Sequence, residues 1–333
     1  MYEARQCEIA RSAPAATSGR APVEPRSGVR HRALRAADGV RVEARYEPYA
    51  GPAHRPDQAV EPPEAAVTVL AHGFTGSLDR PALRRAARVF AQHTAVITFS
   101  FRGHGRSGGR STVGDLEVLD LAAAVGWARS LGHRRVTTVG FSMGGSVVIR
   151  HGALYHPDAP EEREGRTGAH ADTVVAISAP ARWFYRGTAP MRRVHQAIES
   201  PVGRLVSRFG LRTRIHPADW DPVPLSPVDA APLIAPTPLL IVHGDQDPYF
   251  PLDHPRSLAT AAGATTTAPG ASRTPDTSGT PTASGHAAPG PSAGASDPAA
   301  DAELWIVPGF GHAENAARPE LLHRVAAWTR ART

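Results

Sequence analysis

The sequence predicts an α/β protein whose mostly parallel sheet is flanked by helices, with a small helical cap. Short runs of branched apolar residues alternate with amphipathic stretches of helical length, the pattern of a sheet covered on both faces. An early strand is expected at residues 40–49, where Val40, Val42, Ala44 and Tyr46 alternate with polar residues. A Pro-rich connection spans 51–64. Residues 67–71 form a buried-type strand ending at His72-Gly73, and 80–93 a helix with Leu83, Ala86, Val89 and Phe90 on one face. A strand at 95–101, a helix at 116–131, a strand at 135–141 and a helix from 143 to about 155 follow. Further strands are expected at 173–178, 238–243 and 303–307, and one closing helix at 313–331.

Three regions depart from that rhythm. Residues 1–38 are polar, rich in Ala, Arg and Pro, and without periodicity, so they read as a disordered tail ahead of a folded domain at 39–333. Residues 180–236 carry Trp183, Phe184, Tyr185 and Met191 and a basic helical stretch with Val194, Ile198, Val202, Leu205 and Val206, expected to form the cap. Residues 262–301 are almost purely Ala, Thr, Pro, Gly and Ser, too poor in apolar bulk to offset the entropy of ordering. A disordered insert is expected there. It is cheap to carry, since each doubling of loop length costs about 0.6 kcal/mol.

Composition excludes several functions. A hydrophobic fraction of 41% and a charged fraction of 20% over 333 residues are those of an ordinary globular protein. The net charge of +6 comes from a chain with no Lys at all, its arginines scattered in pairs such as Arg84-Arg85 and Arg134-Arg135. A nucleic-acid footprint would be a stripe or cluster, so no nucleic-acid partner is expected. The lone cysteine, Cys7, permits no intramolecular disulfide and fits a reducing compartment. No apolar run approaches the ~18 residues of a membrane span, and charges interrupt the N-terminus where a leader would be apolar. A cytoplasmic location is the expectation.

The chemistry centres on serine. The pattern Gly-x-Ser-x-Gly occurs around Ser107, Ser142 and Ser292, so the motif alone decides nothing. Context does. Ser292 lies in the low-complexity insert, and Ser107 lies several residues beyond its strand in a Gly-rich loop. Only Ser142 follows a strand without a gap and opens a helix. A turn that tight exposes the hydroxyl at the carboxyl edge of the sheet, above a helix N-terminus that favours developing negative charge.

A serine nucleophile needs a base and an orienting acid. His312, after the last strand, is the choice among 16 histidines because it follows every other candidate in chain order. His72, His104 and His243 also sit near strand ends. Asp247 is preferred as the acid, with Asp245 as the alternative that serves a turn. Backbone N–H groups of Phe74 and Met143 can form an oxyanion hole. No cofactor and no metal are expected, since no metal-ligand spacing occurs.

These segments together resemble the α/β-hydrolase superfamily: His72-Gly73-Phe74, Arg102-Gly103-His104-Gly105, Gly140-Phe141-Ser142-Met143-Gly144-Gly145, Gly244-Asp245-Gln246-Asp247 and Gly311-His312. The resemblance covers about residues 65–315 and is nearest to the esterase, monoacylglycerol-lipase and serine-aminopeptidase-like branch. It implies an α/β-hydrolase fold and a serine hydrolase acting on a small-molecule ester or acyl substrate with an apolar group. In that branch the Arg-Gly-His-Gly segment is a structural loop. The same triad serves peptidases, thioesterases, carbon–carbon hydrolases, acyltransferases and cofactor-free haloperoxidases, and a non-catalytic binding protein of this fold is a further alternative. Epoxide hydrolases and haloalkane dehalogenases are disfavoured, because their nucleophile is Asp where this chain has Ser142.

Overall fold

Alternate residues of the central strands face opposite sides, and both sides are apolar. Val67 and Val69 enter one core and Leu70 the other; Val174 and Ala176 divide from Val175 and Ile177, and Leu239 and Ile241 from Leu240 and Val242. A strand with two apolar faces requires a layer on each. The computed structural model describes residues 28–51, 66–159, 168–266 and 301–332.

Among the described residues nine strands form one sheet: β1 (Arg30–Arg35), β2 (Arg41–Glu47), β3 (Ala66–Ala71), β4 (Ala95–Phe99), β5 (Arg135–Phe141), β6 (Thr173–Ile177), β7 (Leu239–Gly244), β8 (Thr265–Thr266) and β9 (Ala302–Val307). Their order is β1-β2-β4-β3-β5-β6-β7-β9-β8. The β1–β2 and β2–β4 pairs are antiparallel and the rest parallel. The helices are α1 (Pro81–Phe90), α2 (Glu117–Ser130), α3 (Met143–Leu154), α4 (Ala189–Glu199), α5 (Pro201–Gly210), α6 (Pro227–Ala230), α7 (Asp253–Ala261), α8 (Ala313–Ala316) and α9 (Pro319–Arg330). Apolar residues of α2, α3 and α7 pack into one core and those of α1 and α9 into the other. Strand order reverses at β3, with β4 on one side and β5 on the other. Helix α1, which follows β3, packs on one face and α3, which follows β5, on the other, so the loops leaving these two neighbouring strands diverge and open a crevice, where sheets of this kind hold their ligands.

Four expectations change. Strand β1 lies inside the stretch assigned to the tail. The strand RHRALR is an edge strand with only Leu34 buried, so it carries almost no apolar signal. The closing helix is two helices, because Pro319 cannot continue α8 and instead starts α9 at its first turn. The cap ends earlier than residue 236: Ala230, Ala231 and Ile234, in α6 and the three-ten turn Ala231–Ile234, are buried in the core beside α3. Order also extends into the start of the insert, where β8 pairs with β9. Residues 1–27, 52–65 and 267–300, which hold the rest of the tail, the connection and the insert, lie outside the described residues.

Candidate active site

The chain leaves β5 at Phe141 and enters α3 at Met143, with Ser142 as the whole connection. So sharp a reversal sets Ser142 at φ 52° and ψ −115°. Such a conformation costs about 1–3 kcal/mol and persists only where its surroundings over-determine it. Here they do. The Ser142 amide donates to the Ile177 carbonyl at the end of β6 (2.8 Å). A Cβ on Gly140 would lie 2.1 Å from the Gly144 carbonyl oxygen, and one on Gly144 would lie 2.4 Å from that of Ala71. Both obstacles are backbone, so any larger residue would force α3 off the sheet.

Strands β7 and β9 run in parallel register from Leu239↔Ala302 to Gly244↔Val307, so the loops that follow them emerge side by side. Asp247 spends Oδ1 on the amides of Tyr249 (2.8 Å) and Phe250 (3.1 Å), which aims Oδ2 at His312. That oxygen lies 2.7 Å from His312 Nδ1, and His312 Nε2 lies 2.9 Å from Ser142 Oγ. Burial alone would raise the Asp247 carboxyl. The hydrogen bond and charge of His312, with His243 and the Tyr249 amide, outweigh it and hold the carboxyl below its usual range. An ionised carboxylate only accepts, so Nδ1 carries the imidazole proton and Nε2 is free to take one from Ser142. The Tyr249 ring lies against the imidazole (centroids 4.3 Å apart) and restricts its plane.

The other candidates fall elsewhere. Asp245 accepts the Gly309 amide (2.7 Å) and so ties the two loops together. His243 donates from Nε2 to the Phe250 carbonyl (2.9 Å) behind Asp247. Ser107 is fully buried, donating to the Ser100 carbonyl (2.6 Å) and accepting from the Glu43 amide (3.0 Å). Ser292 lies outside the described residues.

The loop 72–76, which holds Phe74, is braced from below by the loop after β4. His72 Nδ1 donates to the Gly73 carbonyl (2.7 Å) and Nε2 accepts from the Phe101 amide (3.0 Å). His104 Nδ1 donates to the Arg102 carbonyl (3.0 Å) while Nε2 accepts from the Thr75 amide (3.3 Å). Burial pulls both imidazoles below their usual range and keeps them neutral, as this donor–acceptor pattern requires. Beneath them, buried Arg102 pairs with Asp120 (2.8 Å) and Asp38 (2.6 Å).

Glu314 was not foreseen. Two residues beyond His312, it is buried and accepts the Gly73 amide at 3.2 Å, immediately before Phe74. Burial raises its carboxyl above the ordinary value, against the pull of the Gly73 amide and His312. In sequence it is one glutamate in an Ala-rich turn, with nothing to distinguish it from a solvated one.

Above these groups lies a cavity of about 500 Å³ whose lining includes Ser142, His312, Phe74, Trp183, Met191 and Val194. Trp183 and Trp220 both line it and also anchor the cap, donating from Nε1 to the carbonyls of Pro224 (2.9 Å) and Thr112 (2.8 Å).

A family model described as the α/β hydrolase fold matches residues 67–161, which run from β3 past the end of α3. The esterase Pf2001 of Pyrococcus furiosus superposes with a TM-score of 0.59 at 18% identity, over 91% of this chain and 92% of that one. This chain has the α/β-hydrolase fold. Among proteins with the fold, a serine hydrolase of Xanthomonas campestris described as having no lid superposes at TM-score 0.50 and 17% identity, over 92% of this chain and 97% of that one. A monoacylglycerol lipase of Mycolicibacterium smegmatis is 29% identical over 226 residues, 58% of this chain and 74% of the relative. That makes this α/β-hydrolase-fold chain a distant homologue of monoacylglycerol lipase.

Proposed function

We propose that the protein is a serine hydrolase that cleaves a carboxylic ester or related acyl bond through an acyl-enzyme on Ser142. The observation that carries this reading is the continuous hydrogen-bonded chain from Ser142 Oγ through His312 to Asp247. Ser142 Oγ attacks the substrate carbonyl as His312 Nε2 takes its proton. The negative charge then forming on the carbonyl oxygen is received by the amides of Phe74 and Met143, which need no reorganisation to do so. His312 returns the proton to the leaving alcohol, leaving the acyl group on Ser142. Water, deprotonated by His312, releases the acid and restores the serine. Asp247 stays ionised, steadying the imidazolium in both half-reactions.

The apolar lining from Phe74, Met191, Val194 and Trp183 suits an apolar acyl or alcohol group. The names of the esterase and the monoacylglycerol lipase favour an ester over an amide. The lone cysteine fits a cytoplasmic location. Hydrolysis of p-nitrophenyl esters of increasing acyl length tests the proposal. Turnover is expected to depend on chain length and to vanish in His312→Ala; turnover that persists in that variant would refute it.

A further inference from the structure

Gly73 is pressed close to both the nucleophile and a buried acid. A Cβ there would lie 3.3 Å from the Ser142 Cβ and 3.5 Å from each carboxyl oxygen of Glu314. With no side chain to pack and little conformational preference of its own, a glycine has to be held by its peptide groups. The Gly73 carbonyl accepts from His72 Nδ1 (2.7 Å) and from the Gly76 amide (3.0 Å), and the Gly73 amide donates to Glu314 Oε1 (3.2 Å). The C=O and N–H of a trans peptide point in opposite directions, so fixing the Gly73 carbonyl sets the direction of the Phe74 N–H. Glu314 fixes the peptide on the other side of the same pivot.

A strained turn delivers Glu314 to that contact. Ala313, which separates it from His312, stands at φ 54°, where a residue with a side chain is uncommon. Such strain persists only where the surroundings impose it. The Ala313 amide donates to Ser178 Oγ (3.1 Å), and Arg85 of α1 donates to the carbonyls of Glu314 (2.7 Å) and Asn315 (3.3 Å). The kink turns the Glu314 side chain back to the loop 72–76, where it is only 7% exposed. Burial raises its carboxyl above the ordinary value, which disfavours a negative charge beside an oxyanion held at Phe74.

We propose that Glu314 is a positioning residue for ester cleavage: through the Gly73 amide it holds the Phe74 amide where the oxyanion forms, and so ties the oxyanion loop to the turn that carries His312. The inference rests on the serine-hydrolase reading and deepens it. A glutamate that only stabilised the fold would lower melting temperature and leave the chemical step alone. One that positions the donor acts on the transition state, where charge reaches the carbonyl oxygen.

Steady-state kinetics on p-nitrophenyl butyrate test this with the full chain, together with inhibition by an aryl trifluoromethyl ketone. Ser142 Oγ adds to the ketone carbon, its proton passes to His312, and the former carbonyl oxygen becomes an oxyanion. Glu314→Ala is expected to lower kcat about 10–100-fold with KM changed less than about threefold, and to weaken the ketone by a similar factor. Glu314→Gln keeps an acceptor for the Gly73 amide and should retain kcat within about threefold. Arg85→Gln loosens the turn without touching the carboxyl and should lower kcat by a smaller factor than Glu314→Ala. An unchanged kcat in Glu314→Ala, a change in KM alone, or a Gln variant as impaired as the Ala variant would overturn the proposal. If Glu314→Ala does not fold, an undiminished kcat in Arg85→Gln would overturn it instead. Ester turnover with an indifferent Glu314→Ala sinks this inference alone, whereas no turnover in the unsubstituted protein sinks the hydrolase reading with it.

Discussion

Ser107 and Ser142 stand in the same five-residue motif, and the structure gives them opposite lives. Ser107 turns its hydroxyl inward, between the Ser100 carbonyl and the Glu43 amide, in a loop that fastens β2 to β4. Ser142 is held at positive φ and turns its hydroxyl out, to His312 and the cavity. The difference lies in what surrounds the glycines. Around Ser142 the strand and helix leave no slack, and backbone contacts at Gly140 and Gly144 force the elbow. Around Ser107 both motif glycines stand at positive φ in a loop that joins no strand directly to a helix, and the side chain turns into the protein. A local pattern acquires chemistry only when the elements on both sides compel it.

Substitution should separate the two serines most sharply in activity. Ser142→Ala is expected to lower kcat by about 10⁴–10⁶-fold, while Ser107→Ala changes kcat/KM by less than about threefold, since it touches no reacting atom. Equal losses in the two variants would erase the distinction. The acids offer the next contrast. Asp247→Asn should lower kcat by about 10⁴-fold through loss of the imidazole's orientation, whereas Asp245→Asn, which loosens only the link to Gly309, should cost less than about tenfold. If Asp245→Asn proved the more damaging, the acid would be misassigned.

Stability should reverse the order of the serines. Ser107→Ala removes two buried hydrogen bonds and leaves the Glu43 amide unpaired, a loss of about 1–3 kcal/mol by chemical denaturation. Ser142→Ala should cost less, because its hydroxyl faces the cavity. The last contrast is one of pH. Burial brings His151 down to about 3 and His254 down to about 4, and also depresses His72 and His104 in the brace beneath Phe74. Below the ordinary histidine value the unfolded chain takes up protons that these folded imidazoles refuse, so stability falls with pH. Each contributes a slope of up to about 1.4 kcal/mol per pH unit. Melting temperatures should decline from about pH 6.5 towards about pH 4; a flat profile would mean that the imidazoles are not buried as described.

The parallel strands were legible because two apolar faces leave an uninterrupted run of branched residues, and the elbow was legible because strand and helix abut at Ser142. Asp247 was separable from Asp245 by its place in the loop. What escaped was whatever owes its position to distant contacts. Edge strand β1 reads as polar because only Leu34 is buried. Glu314 acquires meaning only from Gly73, 241 residues away in sequence. The cap was expected as a helical stretch, but periodicity reports that α5 has an apolar face, not which way that face points. Its orientation is decided by Gly203 against α4.

The most direct test is to treat the protein with a fluorophosphonate, digest it and locate the adduct by mass spectrometry. One equivalent is expected on Ser142, with Ser107 and Ser292 unmodified and labelling abolished in Ser142→Ala. An adduct on either of the other two motif serines, or labelling that survives the substitution, would contradict the assignment of Ser142 as the nucleophile.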